Sequence, residues 1–519
     1  MNGAVPVRWQ PALAWRAGRL AALLVTFLLL ALPVSAHVGD PNVFFDGHAG
    51  AYPVRVVVRP PGVIPGLAEI SVRVFTNGVE GVTVLPMRWN TGRQGAPPAD
   101  PAPPVRGESN LFSGELWFMR DGAQCVEVEV HGAAGRGTVI VPVNALATRV
   151  STMPDGLGWI LGAFGTLLVA LAVCIVGAAV RESMLPVGAV LTTRRRWFAR
   201  VITLLAALVM GGAIWFGKNW WEAEARDYRN NRLYRPVPTT ASLREQQGQT
   251  ILAIERGADA ARRYGPLVPE HGKLMHLFVV REPELDAFAH LHPEKRSWNI
   301  FETPLPPLPA GNYRLYADIT YEAGLADTLT APLTLAAPVR PSSASDPDDA
   351  WCRHEPFTRG SEALVQTNRV GDATLELSVE AALVENRDTT LHVRVRDAEG
   401  RAMLLRPYLG MAGHLIVRRQ DGAVFTHLHP GGSFSMTAQQ LFELRAEGKL
   451  PLNVAATTGD PICRLPADAS RFAAPVPEIR FPYAFPKAGG YRLWVQVKLD
   501  REPVTGVFDV QVAGAEAGR

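Results

Sequence analysis

Histidines recur in two copies of one short pattern. The first copy contains His276, His290 and His292, and the second contains His414, His427 and His429. In each copy a His-Leu pair is followed, after a turn, by Phe-X-His-Leu-His-Pro, and the two copies hold six of the twelve histidines. Imidazole is the commonest side-chain metal ligand and titrates near neutral pH. The recurrence therefore predicts a transition-metal site in at least one copy.

A hairpin would bring the three histidines of the second copy together. The dipeptide Asp421-Gly422 is a strong signal for a two-residue turn between antiparallel strands. This turn places His414 opposite His429, and His427 lies two residues away on the same strand face. Facing side chains in such a pair have Cβ atoms about 4.5–5.5 Å apart, so all three imidazoles can converge.

The first copy has a longer turn, at residues 282–286, but it also brings His276 opposite the pair formed by His290 and His292. A fourth ligand could be His271 or Met275 in the first copy, and Met411 or Met436 in the second. Three histidines suit Zn²⁺ or Cu²⁺, and an added methionine would favour Cu⁺. The alternative is structural, because each ring could bond a carbonyl or carboxylate without metal. Duplication of the domain would then explain the recurrence.

The strands that would carry these histidines belong to two related β domains, residues 248–336 and 360–514, joined by a Pro/Ser/Asp-rich linker at 337–359. Residues 250–255 match 390–395, and residues 311–316 match 489–494 in chemistry and order, which indicates an internal duplication. The second repeat has an insertion, in which a capping-box pattern at 437–440 predicts one short helix.

The N-terminal third of the chain predicts export and a third β domain. Residues 1–36 have the pattern of a signal peptide, with cleavage after Ala36, although an uncleaved anchor is the alternative. Residues 37–150 alternate apolar and polar side chains, as in Ile70, Val72 and Val74, which is typical of half-buried strands. Several such short strands predict a β-sandwich.

Two apolar runs, 157–180 and 201–217, predict a transmembrane hairpin. The loop 181–200 contains five arginines and one acid, Glu182, so the positive-inside rule places it in the cytoplasm. Residues 218–247 then form a juxtamembrane connector. These features predict a protein of the bacterial inner membrane with its large domains in the periplasm. In that oxidising compartment a disulfide between Cys352 and Cys463 is expected.

Composition and motifs exclude several functions. The net charge is +3, and no basic block interleaves with aromatic residues, so nucleic-acid binding is not expected. The sequence has no Ser-His-Asp pattern, phosphate loop or zinc-protease motif, so we do not expect an enzyme.

Cleavage after Ala36 would make His37 the first residue, and its amine and ring nitrogens could chelate Cu²⁺.

Several phrases carry a family resemblance: His37-Val-Gly-Asp, Val424-Phe-Thr-His-Leu-His-Pro and the segment 485–494. They resemble uncharacterised bacterial membrane proteins with domains labelled YtkA-like. An exported β domain that begins with histidine also resembles periplasmic copper-resistance proteins. The resemblance implies three Ig-like β-sandwich domains beside the two-helix hairpin, a loose association with metals, and copper at His37.

Two functions follow from these observations. The first is a membrane-anchored periplasmic protein that binds copper or zinc for homeostasis or delivery. The second is a non-catalytic interaction or assembly module, in which the histidines are structural and a periplasmic or membrane protein is the partner. Convergence of the ring nitrogens on a common point favours the first function, and rings directed apart favour the second.

Overall fold

The computed structural model describes residues 42–183, 185, 188–257, 265–340, 346–403, 405–449, 478–499 and 502–515. The signal peptide at 1–36, His37 and Cys463 lie outside the described residues, so cleavage, the terminal copper ligand and the disulfide stay predictions. The prediction of a mainly β chain with two long apolar helices is confirmed.

The N-terminal domain is built from two four-stranded antiparallel sheets. One sheet has the order β1-β2-β3-β6 and the other β5-β4-β7-β8. The strands are β1 (Val43–Ala49), β2 (Tyr52–Arg59), β3 (Gly66–Val74), β4 (Val79–Arg88), β5 (Asp100–Ala102), β6 (Leu111–Phe118), β7 (Gly122–Gly132) and β8 (Gly135–Ala145). Alternate residues such as Val56, Val72 and Val128 fill the space between the sheets. The period-2 pattern therefore determines which face of each strand is buried.

Two helices follow this domain, α1 (Asp155–Glu182) and α2 (Thr193–Asp227), and both are long and apolar enough to cross a membrane. Helix α2 is longer than the predicted span 201–217. It begins inside the predicted loop, where the Thr192 side chain accepts the Arg195 amide, and it continues into the predicted connector. The reason is that 194–196 and 218–227 contain helix-forming residues and no glycine or proline.

Repeat 1 contains ten strands: β9 (Thr239–Gln246), β10 (Gln249–Arg256), β11 (Leu267–Val268), β12 (His276–Glu282), β13 (Ala287–Leu291), β14 (Glu294–Lys295), β15 (Ile300–Pro304), β16 (Gly311–Tyr321), β17 (Ala326–Leu335) and β18 (Ala350–Arg353). One sheet has the order β14-β15-β10-β9, and the other has β11-β16-β12-β13-β18 with β17 paired to β16. Strands β9 and β18 correct the predicted boundaries, because each pairs with a repeat 1 strand although it lies in the predicted connector or linker.

Repeat 2 also has two sheets, β19-β20-β21-β24 and β23-β22-β25-β26. Its strands are β19 (Val365–Val370), β20 (Ala373–Ser378), β21 (Thr389–Arg396), β22 (His414–Arg419), β23 (Phe425–Leu428), β24 (Glu478–Tyr483), β25 (Gly489–Leu499) and β26 (Glu502–Val512). The predicted helix is α3 (Met436–Ala446), but Ser435 caps it two residues before the predicted cap. Phe442 of α3 packs on Trp89, which joins repeat 2 to the N-terminal domain.

The two repeats pack face to face through the sheets that carry the histidines. Tyr316 of repeat 1 stacks on Phe425 of repeat 2 with ring centroids 3.8 Å apart, and Phe288 stacks on Trp494 at 4.8 Å. Tyr316 and Trp494 occupy matching places in the closing strands, and Phe288 and Phe425 match in the hairpins. The two contacts are therefore equivalent, which relates the repeats by an approximate twofold axis.

A buried arginine connects the repeats beside this aromatic layer. Arg418 is 1% exposed, pairs with Glu282 and donates to the Tyr316 hydroxyl at 3.1 Å. We expect Arg418→Met to lower the free energy of unfolding by about 2 kcal/mol, because Glu282 and the hydroxyl lose a buried partner. Arg314→Met removes an exposed cation from the same carboxylate and should cost less than about 1 kcal/mol. Urea unfolding of the full chain in detergent would measure both, and equal losses would contradict the expectation.

Candidate metal centre

The predicted hairpin register is confirmed in repeat 2. Leu415 pairs with Leu428, so His414 lies across from His429 at the end of the same ladder. In repeat 1, Leu277 pairs with Leu291, which places His276 across from His292 in the same way. Because side chains alternate along a strand, the third histidine of each copy shares this face.

Each hairpin brings its three histidines together as a triad. The first triad is His276, His290 and His292, and the second triad is His414, His427 and His429. Within each triad one nitrogen from every ring lies within 4.8 Å of the other two. The closest pairs are 3.2 Å apart in the first triad and 2.9 Å in the second. Bonds of about 2.0–2.1 Å put the nitrogens of a tetrahedral zinc site roughly 3.4 Å apart, and the closest pair of each triad approaches this spacing.

The two triads also meet each other across the interface between the repeats. Ring centroids of His276 and His427 are 5.7 Å apart, and those of His290 and His414, the equivalent pair, are 6.1 Å apart. His271, the predicted fourth ligand of repeat 1, lies 4.9 Å from the ring of His429 in repeat 2. The structure therefore unites both copies and His271 in one cluster of seven histidines.

The hydrogen bonds around the first triad determine which nitrogens carry hydrogen. Nε2 of His276 donates to the carbonyl of Glu270 at 3.0 Å, because a carbonyl only accepts. Nδ1 of His290 donates to Oε1 of Gln496 at 2.7 Å, and the Gln496 amide nitrogen is directed at the Thr505 hydroxyl. In neutral rings the two remaining nitrogens are bare, and they face each other at 3.2 Å. Such lone pairs repel unless a cation lies between them.

The second triad has the same arrangement, built by the equivalent residues. Nε2 of His414 donates to the carbonyl of Tyr408 at 3.2 Å, and Nδ1 of His427 faces Oδ2 of Asp318 at 3.2 Å. With Asp318 ionised, the bare nitrogens of His414 and His427 face each other at 2.9 Å. Each repeat thus supplies the residue that orients a histidine of the other repeat, Asp318 in one direction and Gln496 in the other.

The third ring of each triad adds another nitrogen without a partner. Nδ1 of His292 lies 2.9 Å from Oδ1 of Asp349, and Nε2 of His292 has no hydrogen-bond partner among the described residues. Neither ring nitrogen of His429 forms a hydrogen bond of normal geometry within the described chain, although the Phe434 backbone is close. Nε2 of His271 is also buried, and it lies 3.3 Å from Oε1 of Glu270 without the geometry of a normal hydrogen bond.

A proton is a poor candidate for the cation between the facing nitrogens. Burial, reinforced by the neighbouring histidines, lowers the pKa of all four facing rings well below the ordinary 6.5. Burial also lowers the pKa of His271 to about 4 and that of His429 to about 3. These six rings are therefore neutral at physiological pH, which is the form that binds metal.

One predicted ligand is wrong. Met275 is fully buried in the core of repeat 1 beside Leu277 and Val279, and not in the histidine cluster. The physical reason is strand alternation, because Met275 immediately precedes His276 and so points to the opposite face of the sheet. The donor set of the first triad is consequently imidazole alone.

The sequence interpretation missed the residues that orient the rings: Glu270, Asp318, Asp349, Tyr408 and Gln496. Some of these had a signal. Asp318 lies two residues after Tyr316, and Gln496 lies two residues after the matching Trp494. In the sheets, Asp318 pairs with His276, and Gln496 pairs with His414. Asp349 had no such signal in the sequence, because it lies in the segment whose composition predicts a linker.

Comparisons with known proteins add little to this geometry. No curated protein matches the chain at a significant level. Latent PorU from Porphyromonas gingivalis shares 8% identity at a TM-score of 0.14, over 92% of this chain and 34% of its own. Trypsin-activated alpha-2-macroglobulin from Escherichia coli shares 8% identity at a TM-score of 0.17, over 94% of this chain and 24% of its own. A Corynebacterium diphtheriae protein described as a putative membrane anchored protein shares 7% identity at a TM-score of 0.13, over 92% of this chain and 97% of its own.

At such TM-scores the structural likeness carries no argument on fold or function, and the chain spans only about a third and a quarter of the first two structures. None of these comparisons names YtkA-like or copper-resistance proteins, so that resemblance depends on the sequence phrases alone. One family model matches: residues 368–514, within repeat 2, are similar to a domain of unknown function, DUF8832.

Proposed function

We propose that this chain is a membrane-anchored periplasmic protein that binds copper or zinc in its two histidine triads, for metal homeostasis or delivery, without catalysing a reaction. The observation that carries the proposal is the pair of facing bare nitrogens in each triad, 3.2 and 2.9 Å apart in a site where protons are disfavoured. A metal ion between them would replace repulsion by two coordinate bonds.

The surroundings of the rings support this function. Metal-ligating histidines usually donate their second N–H to a carbonyl or a carboxylate, which orients the ring. His276 and His414 do so to backbone carbonyls, and His292 does so to Asp349. Because the three residues of each triad are imidazoles, Zn²⁺ and Cu²⁺ suit them, whereas Cu⁺ would be favoured by an added methionine.

The second candidate, an interaction module with structural histidines, has one observation in its favour. Burial raises the pKa of Asp318 to about 7. A protonated Asp318 could donate to Nδ1 of His427, and Nε2 of His427 could then donate to His414. That hydrogen-bond chain would satisfy the second triad without metal. In the first triad Gln496 takes the place of the carboxyl group, and its Oε1 faces Nδ1 of His290 and accepts from it, so the equivalent chain is not formed there.

Metal analysis of the full chain in detergent tests the proposal. After chelator treatment, loading with zinc or copper and desalting, we expect one retained ion per triad. His354→Ala is the matched control, because His354 is exposed, bonds Asn368 and lies outside the cluster, and it should not change the metal content. Retention of neither metal would contradict the proposal and favour the interaction module.

A further inference from the structure

The buried position of the triads raises the question of how an ion reaches them. His276, His290 and His414 are 1%, 0% and 0% exposed, and they lie where two sheets pack together. A metal site needs a path from solvent as well as ligands. One cavity of the described chain extends to the cluster.

This cavity has a volume of about 430 Å³ and lies between the N-terminal domain and the two repeats. His276, His427 and His429 line one end of it, so both triads contribute to its wall. Thr148 and Arg149 also line it, and they are exposed residues. The cavity thus connects the histidine cluster with the protein surface.

The charged groups of the wall suit a cation. Acidic side chains of Glu270, Asp318 and Asp327 line the cavity, and burial raises the pKa of Asp318 and Asp327. The lining contains one cationic side chain, Arg149, which is exposed. Oδ2 of Asp327 is buried and has no hydrogen-bond partner among the described residues, so an acceptor is left for a passing ion or its water. Carboxylate and hydroxyl oxygens can replace part of the hydration shell of a metal ion.

The exposed end of the cavity lies next to the membrane helices. Arg149 precedes the first residue of α1, Asp155, by six positions. Tyr228, which follows the last residue of α2, donates to the Arg149 carbonyl at 3.4 Å and accepts the Ile64 amide at 3.2 Å. The cavity therefore opens at the end of the molecule from which both helices leave.

We propose that this cavity is the route by which a hydrated transition-metal cation passes between the membrane-proximal end of the molecule and the triads. The inference rests on the proposed function, since it presupposes that the triads bind metal. It adds the direction of exchange: metal arrives and leaves beside the membrane and not at the distal surface of the repeats.

Two substitutions in the wall test the route without touching a histidine. Thr148→Trp places a large side chain at the exposed end, and Asp327→Asn removes a carboxylate while keeping the acceptor for the Tyr234 hydroxyl. Thr138→Trp, on the exposed side of β8, and Asp372→Asn, in an exposed turn, are the matched controls outside the cavity lining.

The measurement is the rate at which the metal-free full chain in detergent takes up Zn²⁺. Samples are mixed with zinc, quenched with excess chelator at increasing times, and analysed for retained metal. We expect Thr148→Trp to slow uptake about tenfold and Asp327→Asn severalfold, with controls at the wild-type rate and final metal content equal in all variants. Wild-type uptake rates in both cavity variants would overturn the route alone. Failure of the wild type to retain zinc or copper would overturn the proposed function and the route together.

Discussion

Replacing His290 and His427 together by alanine should leave a protein that retains neither zinc nor copper. Each substitution removes one of the two facing nitrogens, and the two rings belong to different triads. The single variants should therefore each lose one triad's ion and keep the other. Loss of a ligand should weaken binding at that triad by more than about 100-fold, the upper range for losing a residue that only orients a ligand.

The variants must be distinguished from misfolded protein. His290 is stacked on Phe278 with centroids 4.4 Å apart, so alanine also leaves a small void. Near-ultraviolet circular dichroism of the aromatic layer would report whether the interface between the repeats persists. His131→Ala changes a surface histidine that pairs with Glu129, and it should retain the full metal content. Full retention by the double variant, with the fold intact, would show that the triads are not the ligands.

Acid should destabilise the metal-free protein steeply below about pH 6.5. Six histidines of the cluster have a folded-state pKa below the unfolded value of 6.5, so the unfolded chain binds more protons between these values: His271, His276, His290, His414, His427 and His429. Stability is then fully present above pH 6.5 and falls with pH, by about 1.4 kcal/mol per pH unit for each such histidine. The fall from His271 continues to about pH 4 and that from His429 to about pH 3.

Asp318 acts in the opposite direction and reduces this slope. Its pKa is about 7 in the folded chain against 3.8 ordinarily, so between these values the folded state binds the extra proton. Its contribution therefore decreases as pH rises through that range. Burial also raises the pKa of Asp327, Glu322 and Glu127, so these carboxyl groups act in the same direction as Asp318. Because six histidines with a lowered pKa oppose these four carboxyl groups, the net slope should still favour unfolding in acid.

Urea unfolding of the metal-free full chain at pH 7.5 and pH 5.5 measures this effect. His271→Leu is an informative variant, because Leu409 occupies the equivalent loop position in repeat 2 with the same left-handed φ near 50°. The variant should lose less stability on acidification than the wild type, by about 1.4 kcal/mol per pH unit. Equal stability of the wild type at both pH values would contradict the expectation.

Much of the local geometry of the site could be predicted. The Asp421-Gly422 turn and the strand period determined the register of the second hairpin, and this register holds in the structure. Both are short-range properties of the chain. The first five residues of β12, His276 to Val280, are all buried, and their sequence indicated the interface between the repeats. A strand that is buried on both faces has a continuous run of apolar residues instead of an alternating pattern. Such a run indicates that another part of the protein covers the second face of the sheet.

The sequence by itself determined the histidines, their spacing and their convergence into triads, because turn chemistry and strand alternation act within a few residues. Strand alternation also excludes Met275, which precedes His276, from the first triad. Only the tertiary structure decided that the two triads face each other. It also decided which nitrogens are bare, because Gln496 orients His290 and Asp318 orients His427 across the interface. Those partners lie more than 100 residues away, and packing of one repeat on the other brings them into contact.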